Sequence, residues 1–210
     1  MRTAITTWTT VAMGLALAAS APARQLDMAA VTKWQAARVV HYRIVMAFDG
    51  AAPIPGASGY GEITARDTVT VELDWDVRGN AVVGTPSFTN AATTVVGTTP
   101  GLAKCPPPTL SGAYEHFEAS SIAAHPSGVE LKGVRRVPAA QVPSQWPSSC
   151  APQAVPARQE PVSEVVAVMS PMMLVMPGGA TPNMKVAADR KSFSVSNKGW
   201  TWTYTPTLVK

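Results

Sequence analysis

The stretch VTVELDWDV, residues 69–77, alternates strictly between apolar and polar side chains. The apolar set is Val69, Val71, Leu73, Trp75 and Val77, and acidic residues or threonine fill the positions between them. A period of two places the two sets on opposite faces of a β-strand. One apolar and one acidic face are typical of an antiparallel strand with solvent on one side. The stretch therefore predicts a strand that covers a hydrophobic core.

The flanking sequence continues this organisation. Residues 40–48 alternate in the same way and predict a second strand, and Arg78-Gly79-Asn80 predicts a turn in which Gly79 takes positive φ. Helical spacing of apolar residues predicts a short N-terminal helix within 25–37. Further strands are predicted at 81–83, 86–96, 114–122, 128–137, 185–195 and 199–205. Residues 162–175, which Pro171 interrupts, predict one edge strand or two short strands.

Many short strands with frequent turns and little helix are typical of an antiparallel β-sandwich or a small β-barrel. Residues 138–161 contain six prolines, a density that is incompatible with a central strand or a helix. We therefore expect one mainly β domain over residues 24–210, with 138–161 as a Pro-rich surface loop. No βαβ alternation is present in the sequence, so a parallel sheet is not expected.

The first 23 residues have the pattern of a secretory signal peptide. Arg2 supplies a positive charge, residues 11–19 are apolar, and Ala21-Pro22-Ala23 is a small-residue cleavage motif. The apolar run is shorter than the roughly 20 residues that span a bilayer. We therefore expect cleavage before Arg24 and a periplasmic or secreted protein that has no transmembrane anchor after cleavage.

Cys105 and Cys150 are the two cysteines of the chain. In an oxidising compartment such a pair predicts a structural disulfide, and the spacing matches neither a zinc site nor a redox C-x-x-C motif. The net charge of +4 is too small to indicate a nucleic-acid-binding protein, which usually has a clustered basic face. Nucleic acid is therefore not an expected partner.

A methionine-rich segment covers residues 169–184 and contains Met169, Met172, Met173, Met176 and Met184. Thioether sulfur suits Cu(I), and the spacing resembles the methionine-rich loops of exported copper-carrying proteins. This resemblance implies a weak candidate metal site. Methionine also fills irregular cores, and core packing is the interpretation that we prefer, with no cofactor.

Aromatic residues alternate near the C-terminus, where Trp200, Trp202 and Tyr204 share one strand face. An exposed row of this kind would stack sugar rings, whereas a buried row would supply core area. We expect the row to be buried.

Histidine offers little support for catalysis. His41, His116 and His125 lie far apart in sequence and match neither H-x-H nor H-E-x-x-H. His116 shares a strand face with Tyr114 and Glu118, but we expect the three histidines to be separate half-buried or surface residues. Residues 74–80 resemble the start of a calcium loop, but position five is Arg78, so a hairpin is the better explanation.

These observations favour an exported binding or structural protein of the bacterial cell envelope, without chemistry of its own, that contacts a protein or envelope component. The first alternative is a periplasmic copper-binding protein that uses the segment 169–184. The second alternative is an unrecognised hydrolase, which would need a histidine beside a serine or carboxylate in a cleft.

Overall fold

The computed structural model describes residues 25–53, 61–91, 94–100, 109–112, 114–141, 156–175 and 184–209. The predicted signal peptide with its cleavage site at Arg24, both cysteines and Met176 lie outside these ranges. Export and the disulfide therefore remain predictions. Of the Pro-rich loop, residues 142–155 also lie outside the described part of the chain.

One helix, α1, spans Met28–Ala36, and the Asp27 side chain caps it by accepting a hydrogen bond from the Ala29 amide. The strands are β1 Val39–Pro53, β2 Gly61–Asp76, β3 Ala81–Asn90, β4 Thr94–Pro100, β5 Thr109–Ser111, β6 Glu115–His125, β7 Gly128–Val137, β8 Ala139–Gln141, β9 Arg158–Ala167, β10 Met184–Val186, β11 Phe193–Asn197 and β12 Trp200–Leu208. The predicted mainly β fold is confirmed. Within the described ranges, no helix is long and apolar enough to cross a bilayer.

The largest sheet is built around a long hairpin. β1 and β2 pair from Val39↔Asp76 at one end to Pro53↔Glu62 at the other. The strand order is β10-β11-β12-β1-β2-β3, and β4 continues along the same edge of β2. All of these pairings are antiparallel, as the alternation in β1 and β2 predicted.

A second, three-stranded antiparallel sheet has the order β6-β7-β9, and β5 pairs with β8 in a small separate ladder. The inward faces of the two larger sheets share one core, which joins Tyr42 and Trp75 of the large sheet to Leu131 and Val166 of the small one. Helix α1 adds Trp34 to this core. The domain is therefore sandwich-like, with its core between two antiparallel sheets.

Two side chains of the large sheet bind the backbone of β6. The Asn90 amide donates to the Ala119 carbonyl at 2.7 Å and its oxygen accepts from the Ala119 amide at 3.1 Å, so it acts like the peptide of a neighbouring strand. The buried Asp67 Oδ2 accepts hydrogen bonds from the His116 and Phe117 amides. These bonds satisfy β6 backbone groups where the β6–β7 ladder shifts register.

Gly133 permits the close approach of β7 to this irregular part of β6. A Cβ atom at position 133 would lie 2.1 Å from the Glu118 carbonyl oxygen, which no side chain tolerates without a backbone shift. The glycine is therefore required by the bulge in the neighbouring strand.

The predicted strand 162–175 is wrong at its C-terminal end. β9 ends at Ala167, and Met173–Val175 form a turn of 3₁₀-helix after Pro171. The strand begins earlier than expected, at Arg158, and includes Pro161. Pro161 is tolerated because β9 is an edge strand of its sheet. Both ends of the predicted loop 138–161 therefore belong to strands, since β8 occupies Ala139–Gln141.

The β2–β3 turn also differs from expectation in one detail. Asn80 adopts positive φ, at 50°, and Gly79 does not. The Asp76 carboxylate accepts hydrogen bonds from the Arg78 and Gly79 amides, both at 2.9 Å, and these bonds lower the pKa of Asp76. Asparagine tolerates the left-handed region, so the turn does not need glycine there.

Candidate functional site: an apolar cleft at one end of the sandwich

A cleft of about 430 Å³ opens where the two larger sheets meet at one end of the sandwich. We call it the end cleft. Its apolar wall residues are Trp75, Val168, Met169, Met173, Val195 and Trp202. Asn80, Ser127 and Ser170 contribute polar groups to its lining.

Strand alternation explains why these side chains converge. Trp75 lies on the inward face of β2, and Trp202 and Val195 are cross-strand partners on β12 and β11. The loops at the same end supply Asn80 from the β2–β3 turn and Ser127 from the β6–β7 turn. Loops at the end of a rigid sandwich are common positions for binding residues.

Residues 167–171 form one wall of the cleft. We call them the crossing segment because they pass from β9 across the inner face of the large sheet. Its alternate carbonyls accept side-chain hydrogen bonds. Tyr204 Oη donates to Ala167 O at 3.0 Å, Tyr42 Oη donates to Met169 O at 2.8 Å, and Gln35 Nε2 donates to Pro171 O at 3.2 Å. Together with one backbone hydrogen bond, from the Val168 amide to the Ser127 carbonyl, these side chains hold the segment where a strand would have a full backbone ladder.

The interior of this end of the molecule has few polar interactions. Burial raises the pKa of Tyr204 to about 12, and it raises the pKa of Tyr42 further. Trp75 is 1% exposed, and no described residue offers an acceptor to its Nε1. The cleft therefore has an apolar interior, which suits the hydrophobic part of a ligand.

The methionine-rich segment does not behave as expected. Met172 and Met173 are each 55% exposed, so the expectation that they are core residues is wrong. The physical reason is the end of β9 at Ala167, which places both residues after Pro171 in a turn and a 3₁₀-helix. Met169 and Met184 are half-buried against the core, as expected.

The cleft lining includes Met169 and Met173 from this segment, and Met184 lies away from it in β10. Among the described residues, no group of three histidine, cysteine, aspartate or glutamate side chains could hold a metal ion. The copper alternative depends on thioether sulfurs, so this result does not test it.

The aromatic row of β12 is buried as predicted at two of its three positions. Trp200 is 6% exposed and Tyr204 is 5% exposed, whereas Trp202 is half-buried and lines the end cleft. Strand alternation places all three on the inward face, and the cleft leaves Trp202 partly accessible. A flat, exposed sugar-stacking row is therefore not formed.

His116 belongs to an aromatic stack. Its ring lies on Phe48, with ring centroids 3.6 Å apart and planes 2° apart, and Trp200 meets it edge-on. The Tyr114 hydroxyl hydrogen-bonds to His116 Nδ1 at 3.1 Å. Burial, with a smaller contribution from the positive charge of Arg135, lowers the pKa of His116 to about 4. The ring is therefore neutral at pH 7 and packs as an aromatic side chain.

The other two histidines have separate partners. His41 Nδ1 lies 2.8 Å from Asp74 Oδ1 on the outer face of the large sheet. His125 Nδ1 lies 2.9 Å from Ser127 Oγ, two residues away in the same turn. The hydrolase alternative requires a histidine beside a serine or a carboxylate, and His125 and Ser127 form such a pair. However, His125 Nδ1 also accepts a hydrogen bond from the Ser127 backbone amide, so the pair caps the turn.

The outer surface of the small sheet contrasts with the end cleft. Arg136 lies there between the carboxylates of Glu115 and Glu118. Sequence reasoning identified some cleft residues singly, yet it missed their grouping, since they come from strands β2, β11 and β12, from two turns and from the chain around and after the end of β9. Their shared signal is weak, because it consists only of inward-facing positions at strand ends and in the adjacent turns.

No family model, curated protein or solved structure matches this chain.

Proposed function

We propose that the protein is an exported binding protein and that the end cleft holds a small, largely apolar molecule. The observation that carries the proposal is the cleft itself, whose volume of about 430 Å³ falls within the range of natural small-molecule sites. Aromatic, aliphatic and thioether side chains form its walls, and a few polar groups lie among them, a composition that is typical of such sites.

Two further features support a role in binding. The crossing segment, which forms one wall, is held by three side-chain hydrogen bonds, so the cleft is formed before a ligand arrives. Met173, at 55% exposure, has an unbranched and polarisable side chain that adapts to apolar surfaces. A preformed cleft with one adaptable wall accommodates ligands without a large ordering cost.

The experiment is a titration with N-phenyl-1-naphthylamine, a neutral fluorophore that brightens in apolar surroundings. We expect saturable one-to-one binding, accompanied by a change in tryptophan emission because Trp75 and Trp202 line the cleft. Val195→Phe fills the cleft and should weaken binding at least about tenfold, since the added ring occupies ligand volume.

The matched control is Val45→Phe, because Val45 lies on the outer face of β1 and outside the cleft. This variant should bind the fluorophore as the parent does. Circular dichroism would verify that both variants are folded. If Val195→Phe does not fold, Trp202→Ala, which removes part of the cleft wall, is the second test. Absence of saturable binding to the folded parent, or equal binding by Val195→Phe, would refute the proposal.

A further inference from the structure

The end cleft adjoins a second depression of about 540 Å³. Gln35, Val77, Arg78 and Met172 line the second depression alone, whereas Asn80, Ser170 and Met173 line both. Because the two share three wall residues, they lie side by side, and we call the pair the groove. An extended molecule can lie along the groove with one end in each depression.

The two halves of the groove differ in polarity. Indole, valine and thioether side chains line the inner half, whereas Arg78 and Gln35 are among the residues that line the outer half. Arg78 is exposed, and it forms no ion pair within the described part of the chain. No carboxylate of a described residue lines either half of the groove.

Among the described residues, the acidic group Asp76 lies near Arg78, and its charge interacts with both Arg38 and Arg78. Its Oδ1 accepts the Arg78 and Gly79 backbone amides, so this carboxylate is engaged in capping the turn. Within the described ranges, the Arg78 guanidinium is therefore left with donors for a ligand. A guanidinium binds a carboxylate through two parallel hydrogen bonds, which gives orientation as well as attraction.

We infer that the groove binds a single-chain amphiphile with a carboxylate head, the head at Arg78 and the alkyl chain in the end cleft. This inference rests on the proposed function, since it names the class of ligand for the same cleft. Met173 lines both halves of the groove and Met172 lines the outer half, and both are 55% exposed. Their flexible side chains are suited to covering alkyl chains of different length.

The experiment measures displacement of N-phenyl-1-naphthylamine by three twelve-carbon amphiphiles below their micellar concentrations: dodecanoate, dodecanol and dodecyltrimethylammonium. We expect dodecanoate to bind at least about tenfold more tightly than the other two, as expected for a charge-assisted pair. Arg78→Gln should lose this preference, with binding of dodecanol unchanged. Arg43→Gln, which removes a guanidinium from the outer face of β1, is the matched control and should behave as the parent.

The outcomes separate the two proposals. Equal displacement by all three amphiphiles, or an unchanged dodecanoate affinity in Arg78→Gln, would overturn the carboxylate assignment and leave the apolar cleft standing. Failure of the fluorophore and of every amphiphile to bind the folded parent would overturn both. Tighter binding of dodecyltrimethylammonium than of dodecanoate would also overturn the assignment, because the groove would then have to carry negative charge.

Discussion

The Tyr42 hydroxyl donates a hydrogen bond to the Met169 carbonyl at 2.8 Å, across 127 positions of the chain. Tyr204, on the neighbouring strand β12, makes the equivalent bond to Ala167. Both hydroxyls project from the inward face of the large sheet, so that face anchors the crossing segment directly. One wall of the end cleft therefore depends on two phenolic groups.

Tyr42→Phe should destabilise the protein by about 1–2 kcal/mol, because the Met169 carbonyl would lose its donor in a buried setting. The crossing segment should also open more often, which hydrogen exchange at the Val168 amide reports, since this amide donates to the Ser127 carbonyl. Tyr114→Phe is the matched control, because its hydroxyl contacts His116 and not this segment. Unchanged exchange at Val168 in Tyr42→Phe would show that the bond does not hold the wall.

Gly133→Ala should cost about 3 kcal/mol, since its methyl group overlaps the Glu118 carbonyl and forces β6 and β7 apart. Gly84→Ala is the comparison. Position 84 has φ of 72° and open space around it, so alanine there adds only the conformational cost, about 1–2 kcal/mol. Urea denaturation of both variants measures the difference. A smaller loss at 133 than at 84 would contradict the close approach of the two strands.

Stability should fall as the pH is lowered from 6.5 to about 4, because the pKa of His116 is lowered to about 4 in the folded protein from its ordinary value of 6.5. Between these values the unfolded chain binds a proton that the folded chain does not, so the free energy of unfolding decreases with falling pH. His116→Phe retains an aromatic ring on Phe48 and removes the titrating group. Its urea midpoint should therefore drop less than that of the parent over this range.

His125→Phe provides the control, since His125 is the last residue of β6 and lies outside the aromatic stack. The fall in stability that is assigned to His116 should persist in this variant. A His116→Phe variant with the full parental dependence would place the responsible group elsewhere.

Cu(I) should not bind tightly at the methionine-rich segment, because Met169 and Met173 line the apolar cleft and Met184 lies away from it in β10. A competition titration under reducing conditions, with the parent and with Met172→Leu/Met173→Leu, tests this expectation. The double variant should remain folded and still bind the fluorophore, since leucine resembles methionine in volume and costs less than about 1.5 kcal/mol per site. Tight one-to-one Cu(I) binding that the double variant lacks would establish copper handling instead.

Cys105 and Cys150 should be joined in the exported protein, and closing this loop should stabilise the fold by about 4 kcal/mol in the chain-entropy model. Peptide mapping without reductant should recover the linked pair, and reduction should release it. Two freely alkylated thiols in freshly exported protein would contradict the prediction. The Cys105→Ser/Cys150→Ser variant should unfold at lower urea concentration.

Local alternation and turn chemistry were sufficient to predict much of the fold. The strand over 69–77 and the strand 128–137 lie where the sequence placed them, and the terminal hairpin turns at Lys198 and Gly199, both with positive φ. These features depend on residues that are close in sequence. The side-chain period and the conformational preferences of turn residues act over only a few positions, so one sequence reveals them.

The end of β9 and the end cleft were decided by tertiary structure. Residues 167–175 are mostly apolar and favour a strand by composition. The carbonyls of Ala167, Met169 and Pro171 nevertheless accept hydrogen bonds from the side chains of Tyr204, Tyr42 and Gln35, in that order. Partners that lie 37 to 136 positions away leave no local signal in the sequence. The crossing segment and the apolar cleft therefore exist only because folding brings distant donors to carbonyls that must be satisfied once they are buried.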